Sequence, residues 1–284
     1  MVKYETVFKD YLLQIERDLD RFLPQNTQYP QELHEAMRYG VFQGGKRFRP
    51  ILTFAACEAA GGKLDAARLA AVSLELIHCY SLIHDDLPAL DNDPIRRGKP
   101  SVHVRYGEAT AVLAGDGLLT LAFHVLSHTP EPGMMRRFLD EISTASGTYG
   151  MIGGQSADLA AEKAGTTLPM LDYISTHKTG KLIKASIVCG AIAADASDEG
   201  LKRLSRCGEW LGLCYQAVDD YLDSDGYAKI LKPREIRLKI RDLTAKAKRE
   251  LKPLGKRSQR LHALIDFLVE RIPKRSASAA KQKS

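Results

Sequence analysis

Cysteine is scarce in this sequence: there are five, Cys57, Cys79, Cys189, Cys207 and Cys214, an odd number without CxxC spacing. That pattern does not suit a disulfide framework. All five fall in apolar helical surroundings, as reduced thiols do in the core of a cytoplasmic protein. Long apolar runs are missing too. No eighteen consecutive residues are apolar, so neither a transmembrane span nor stable membrane insertion is expected. The opening stretch, MVKYETVFKDYLLQIERDLD, is charged throughout and helical in pattern, unlike a signal or transit peptide. The pattern shows no convincing alternating strands, no internal repeat and no linker-like shift in composition. The chain therefore reads as one helical domain over residues 1–272, followed by a basic, disordered tail at 273–284.

What is present is helix. Apolar residues recur at steps of three or four over about 4–22, 31–39, 47–60, 65–87, 108–129, 134–148, 150–163, 168–176, 178–194, 198–222, 227–251 and 258–271. The fold class expected is all-α, with long helices around a central cavity. The net charge of +6 is uneven, because the segment from Lys229 to Lys283 is heavily basic. That segment lacks interleaved aromatics and a recognition motif, so no nucleic-acid partner is expected.

The chemistry concentrates at residues 74–98, LELIHCYSLIHDDLPALDNDPIRRG. Leu69, Ser73, Leu76, Tyr80, Ile83 and Leu87 form one packed helical face. Asp85, Asp86, Asp91 and Asp93 crowd its C-terminal end, where the macrodipole already disfavours negative charge. In an unbroken helix Asp85 and Asp91 would stand about 120° apart. Pro88 breaks the helix and lets Asp91 swing back towards Asp85. A second cluster, DDYLD at 219–223, sets Asp219 and Asp223 one turn apart on one helix face. Neither cluster is diluted by Lys or Glu, as a solvated helix face would be. Two facing banks of carboxylates suit hard divalent cations that grip a diphosphate. Lys46, Arg47, Arg49, Arg96, Arg97, Lys178 and Lys181 adjoin Gly-rich or Asp-rich motifs, as diphosphate ligands would.

These clusters, together with GGKRFRP at 44–50, RRGKPSVH at 96–103, GGQSADL at 153–159 and HKTGKLI at 177–183, resemble the trans-polyprenyl diphosphate synthase family. The likeness is greatest to its bacterial short-chain, farnesyl-forming type. The resemblance implies head-to-tail condensation of isopentenyl diphosphate with an allylic diphosphate, dimethylallyl or geranyl, to give farnesyl diphosphate. It implies a homodimer, and three Mg²⁺ per site with substrate bound, Mn²⁺ suiting the same oxygen ligands. By the same resemblance Asp85, Asp86, Asp91, Asp219, Asp220 and Asp223 are the metal residues. Lys46, Arg49, His78 and Arg97 take isopentenyl diphosphate. Arg96, Lys178, Thr179 and Gln216 take the allylic diphosphate and serve catalysis, with Gln155 and Asp158 extending that environment. Tyr80, five residues before Asp85, is implied to be the floor that stops chain growth.

Each residue also has an ordinary reading. His78 alone is a core histidine, Arg96 and Arg97 pair with neighbouring aspartates, Gln216 bonds a neighbouring helix, and Tyr80 is a core aromatic. A geranylgeranyl or geranyl diphosphate synthase would share the motifs and differ at the floor. One departure from the family stands out: about twenty residues are missing after Asp223, where the family carries a loop with a Gly-Lys pair. An omission of that loop from the sequence is the expectation. A true deletion would remove one lysine contact and part of a lid, and would favour a non-catalytic partner subunit.

Overall fold

The computed structural model describes residues 4–273, so the tail from residue 274 lies outside the described residues. The chain opens with α1 (Tyr4–Val7) and α2 (Lys9–Phe22), whose Tyr11, Ile15 and Leu19 are fully buried at helical spacing. Next come α3 (Gln31–Phe42), α4 (Phe48–Ala59) and α5 (Leu64–Asp85). A hairpin of two-residue strands, β1 (Ile95–Arg96) and β2 (Lys99–Pro100), leads to α6 (Val102–Tyr106) and α7 (Glu108–Leu126). Then follow α8 (Pro132–Ser146), α9 (Met151–Ala164) and α10 (Leu168–Ile174). A π-helical turn, Ser175–Gly180, joins α10 to α11 (Lys181–Ala193), and α12 (Asp198–Asp223) is next. A 3₁₀ turn at Gly226–Lys229 precedes α13 (Pro233–Leu251), and a second at Lys252–Ser258 leads to α14 (Gln259–Glu270). The chain is all-α apart from the hairpin, as expected.

The core sits between α4, α5 and α11, which pack against one another and are rich in Ala, Ile and Leu. Short side chains let these helix axes approach closely, and α7, α8 and α12 close around them. Helix starts follow local chemistry. Glu131 caps α8 by accepting from the N–H groups of Gly133 and Met134, and Ser197 caps α12 by accepting from Gly200. Pro233, which has no N–H to lose, takes the first turn of α13.

Several expectations need correction. The hairpin was not anticipated; positive φ at Arg97 (53°) and Gly98 (75°) makes the tight turn that two-residue hairpins require. The helix expected over 227–251 starts only at Pro233, because the proline cannot donate to the preceding turn. After Asp223 the chain passes from α12 to α13 through residues 224–232. Fully buried Tyr227 anchors that connection, its backbone N–H donating to Asp220 at 2.9 Å.

Average apolarity is a looser criterion than an unbroken apolar run, and two helices meet it. Helices α5 and α7 are long and apolar enough to cross a membrane, with mean hydropathy of 1.3 and 1.6. The expectation rested on unbroken apolar runs, whereas scattered alanines and leucines raise the average. Most of α5 is nevertheless interior. Only 39% of the matching α7 window is buried, and Leu113 (56% exposed) and Val112 remain on its outer face.

Arg47 is a structural residue, not a diphosphate ligand. It is 3% exposed, and its guanidinium donates to Glu75 at 3.0 Å and Glu16 at 2.7 Å. Glu75 is as deeply buried. Replacing Arg47 with Met would leave that carboxylate charged and unpaired, a cost of about 3 kcal/mol or more. The expected result is a melting temperature lower by about 6 °C or more in a thermal unfolding scan. An unchanged value would refute the pair's structural role.

Candidate active site

Helix α5 ends at Asp85, and the turn beyond it folds back as Pro88 dictates. The N–H of Asp91 donates to the Asp85 carbonyl at 2.8 Å, and that of Asp93 to the Asp86 carbonyl at 3.1 Å. Asp91 is thereby returned to the end of the helix. Asp85 opens on a cavity of about 820 Å³, while Asp86 turns into the protein and is held by Arg96, whose Nε donates at 2.9 Å. Arg96 also pairs with Asp93 at 3.3 Å, and the hairpin carrying it projects Arg97 onto the Gly44 carbonyl.

The opposite wall is built from α9, the π-helical turn and α12. A Cβ on Gly154 would lie 2.1 Å from the backbone nitrogen of Lys178, and one on Gly212 would lie 2.6 Å from the Cα of Gly180. Only glycines let these three backbones meet. The wide turn then projects Lys178 and Thr179 into the cavity, a use typical of π-helical insertions. Lys178 donates to Asp158 at 2.7 Å. Thr179 donates to Gln216 at 2.8 Å, and Gln216 in turn donates to Asp220 at 2.6 Å. Asp220 is therefore occupied by Gln216 and the Tyr227 N–H, whereas Asp219 lines the cavity. A second recess of about 500 Å³ shares Lys178, Gln216 and Asp219 with the first and adds Asp223, Asp225 and Lys229.

The main cavity has two kinds of wall. Leu90, Leu119, Met151, Ile152 and Leu159 are apolar; Arg49, His78, Arg97, Asp85 and Lys178 are charged or polar. Burial raises the Asp85 carboxyl to about 6 despite nearby Lys178, and also raises Asp86, Asp219 and Asp220. Burial and the neighbouring Arg49 and Arg97 hold His78 well below its usual range, so it is neutral at pH 7. Four buried polar atoms of cavity-lining residues have no hydrogen-bond partner: Arg49 Nε, Tyr80 Oη, Gln155 Oε1 and Asp219 Oδ1.

Not every candidate faces the cavity. Lys46 lies outside its lining, with Nζ 5.0 Å from the centre of the Phe267 ring. Lys181 lines a separate groove with Lys184 and Glu209. Asp91 and Asp223 are exposed at the rim. One contact had no sequence signal: Arg271, just past α14, lies 2.7 Å from Asp219 Oδ1, too poorly aligned for a hydrogen bond. Its partner lies far back in the chain, so local pattern gives no hint.

Among the described residues, no three histidine, cysteine or acidic side chains form a ready metal cage. The donor set nonetheless suits a hard cation: Gln155 Oε1 is an oxygen of the cavity wall without a hydrogen-bond partner, and Asp85 and Asp219 add carboxylates, the latter held by the Arg271 ion pair.

A helical bundle enclosing an apolar-walled cavity, with acid-rich helix ends and fixed cations, defines a class of proteins that handle diphosphates of apolar molecules. The polyprenyl synthetase family matches residues 30–235, and the chain belongs to that family. It is a prenyltransferase. Dimethylallyltranstransferase of Fischerella ambigua is 40% identical, covering 92% of this chain and 83% of that protein. Farnesyl diphosphate synthase of Escherichia coli is 40% identical over 84% of this chain and 88% of its own length. A crystal structure described as an FPP/GFPP synthase from Zymomonas mobilis superposes with TM-score 0.88 at 35% identity, covering 94% of this chain and 98% of its own. The Fischerella alignment spans 287 positions, more than the 284 residues here, so that relative has residues this chain lacks.

Proposed function

We propose that this prenyltransferase condenses isopentenyl diphosphate head to tail with dimethylallyl and then geranyl diphosphate, ending at farnesyl diphosphate. The observation that carries the reading is a single cavity bordered by Asp85 and Asp219, with cations and an apolar wall between them. Enzymes of the family use Mg²⁺. Asp85, Asp91, Asp219 and Asp223 would hold such ions, with Asp86 and Asp220 fixing the geometry behind them. Bound Mg²⁺ supplies neutralisation of the departing diphosphate, and Mn²⁺ suits the same oxygens. Lys178 adds a fixed positive charge beside the allylic diphosphate, and Thr179, Gln216 and Arg96 orient it.

Arg49, Arg97 and Lys46 take the second diphosphate. Neutral His78 contributes a hydrogen bond there rather than a charge. Loss of diphosphate leaves an allylic cation, which the isopentenyl double bond attacks; the resulting cation then gives up a proton to the departed diphosphate and the new double bond forms. The leucine-rich wall keeps water from that cation. The exposed apolar side of α7, with Val112 and Leu113, fits burial against a second copy of the chain.

The short connection after Asp223 favours a second reading, a non-catalytic partner subunit that lacks part of a lid. One experiment separates them. Purified protein receives isopentenyl diphosphate with dimethylallyl or geranyl diphosphate, with and without Mg²⁺, and the extracted prenyl alcohols are sized. A metal-dependent fifteen-carbon product is expected from protein that elutes as a dimer. A twenty-carbon product would replace the farnesyl assignment with geranylgeranyl. No product at all would favour the non-catalytic reading.

A further inference from the structure

Charge is divided unequally along the chain. Residues 229–284 hold 18 Lys and Arg against 5 Asp and Glu, whereas residues 1–228 hold 23 against 30. On α13, Arg234, Leu238, Arg241, Ala245 and Arg249 recur at steps of three or four, and all are exposed. The acids beside that stripe are already engaged. Asp242 pairs with Lys246 at 2.7 Å, and Glu235 accepts from the Lys232 N–H at 2.7 Å.

Next to the stripe, a groove of about 540 Å³ separates α13 from the end of α14. Ile240, Val269 and Ile272 wall it, with Arg237, Arg241 and Lys248 and one carboxylate, Glu270, around its edge, and it shares no residue with the two cavities of the active site. Pro273 also lines it, and the chain runs on from there into residues 274–284, whose only charges are Lys274, Arg275, Lys281 and Lys283.

We propose that the α13–α14 face docks peripherally and reversibly on an anionic lipid bilayer. Cations arranged around an apolar slot complement such a surface: phosphates meet the arginines while acyl chain enters the groove. A nucleic acid would be complementary to the charge alone, because no exposed aromatic lies on α13 or α14 for its bases to stack on. The acidic remainder of the chain orients the encounter, since the same membrane repels it. Nothing in this docking depends on the length of the prenyl product.

The test is flotation of the full-length protein with two kinds of vesicle, at about 0.1 M salt. One is pure phosphatidylcholine; the other contains about 30% phosphatidylglycerol. The expected result is binding to the anionic vesicles, none to the neutral ones, and release at high salt. The double variant Arg234→Gln/Arg241→Gln should lower the partition coefficient about thirtyfold, at about 1 kcal/mol per cation. Its prenyl-transfer activity should be unchanged, which confirms that it folds. Arg136→Gln, an exposed site on α8, should bind like the parent. Equal binding to neutral vesicles, absence of binding, or insensitivity to the double substitution would overturn the proposal. So would equal competition by an RNA homopolymer for the same arginines, with Leu238→Asp lacking any effect on vesicle binding. That pattern belongs to a general polyanion surface.

Discussion

An Asp85→Asn variant is expected to lose prenyl transfer about a thousandfold while the empty protein melts at a higher temperature than its parent. The first effect follows from the position of Asp85 on the cavity wall, where it supplies negative charge to the cations that would neutralise the departing diphosphate. Asparagine keeps the shape and removes that charge. The second effect follows from what the site costs when it is empty. Burial raises the Asp85 carboxyl from 3.8 to about 6, so at pH 7 the fold holds a carboxylate that it would rather protonate. The folded pKa lies above the unfolded one. The stability linked to this group is therefore fully present below about 3.8 and is lost as pH rises through about 6. At pH 7 the cost is about 3 kcal/mol, or a melting temperature roughly 6–12 °C higher in the variant. The gap should narrow as pH falls from 7 towards 5, where the parent carboxyl takes up its proton and the asparagine does not titrate. Thermal unfolding of both proteins at several pH values, beside product assays at saturating Mg²⁺, reads out each effect. Activity within tenfold of the parent would remove Asp85 from the metal-holding set. Equal melting at pH 7 would mean that the empty site is not strained by its charge.

That cost explains why the site was legible in the sequence while its geometry was not. Acidic residues at a helix C-terminus violate the local electrostatic rule, and such violations mark function. The Pro88 break was readable, and the structure closes it with the Asp91-to-Asp85 backbone bond. Sequence pattern could not separate Asp85 from Asp86, which are adjacent, yet one faces the cavity and the other is locked to Arg96. It also could not tell Arg47 from Arg49. They lie two apart in one motif, but Arg47 enters the core to meet Glu75, from another helix, while Arg49 lines the cavity. These distinctions are long-range. So is Arg271 against Asp219, which exists only because α14 returns to the end of α12. The π-helical turn at Ser175–Gly180 was hidden for a further reason: one extra residue in a turn barely changes the apolar periodicity that reveals a helix.

Tyr80→Ala is expected to shift the main product from fifteen carbons to twenty or more. Tyr80 lies on α5 about 7.5 Å back from Asp85, along the direction a chain anchored at the aspartates must grow. It lines the cavity and is 5% exposed. Its ring meets His84 edge to face at 5.8 Å, and His84 is backed by α7, with Nε2 3.1 Å from the Val112 carbonyl. Gly115 makes room for that imidazole, since a Cβ there would come within 2.1 Å of it. The aromatic is thus braced from behind, as a floor must be if it is to resist an advancing prenyl tail. Removing the ring opens depth at the cavity end while leaving the residues at the diphosphates in place, so the first condensation should proceed within a few-fold of the parent rate. Tyr80→Phe supplies the control. The phenol oxygen has no hydrogen-bond partner, so deleting it removes no hydrogen bond and the ring still blocks the tunnel. The fifteen-carbon product should persist. Chromatography of the extracted alcohols from both variants decides the matter: unchanged length in Tyr80→Ala would move the floor to the facing wall of Leu119 and Ile152, while lengthening in Tyr80→Phe would mean that the hydroxyl, not the ring, ends growth.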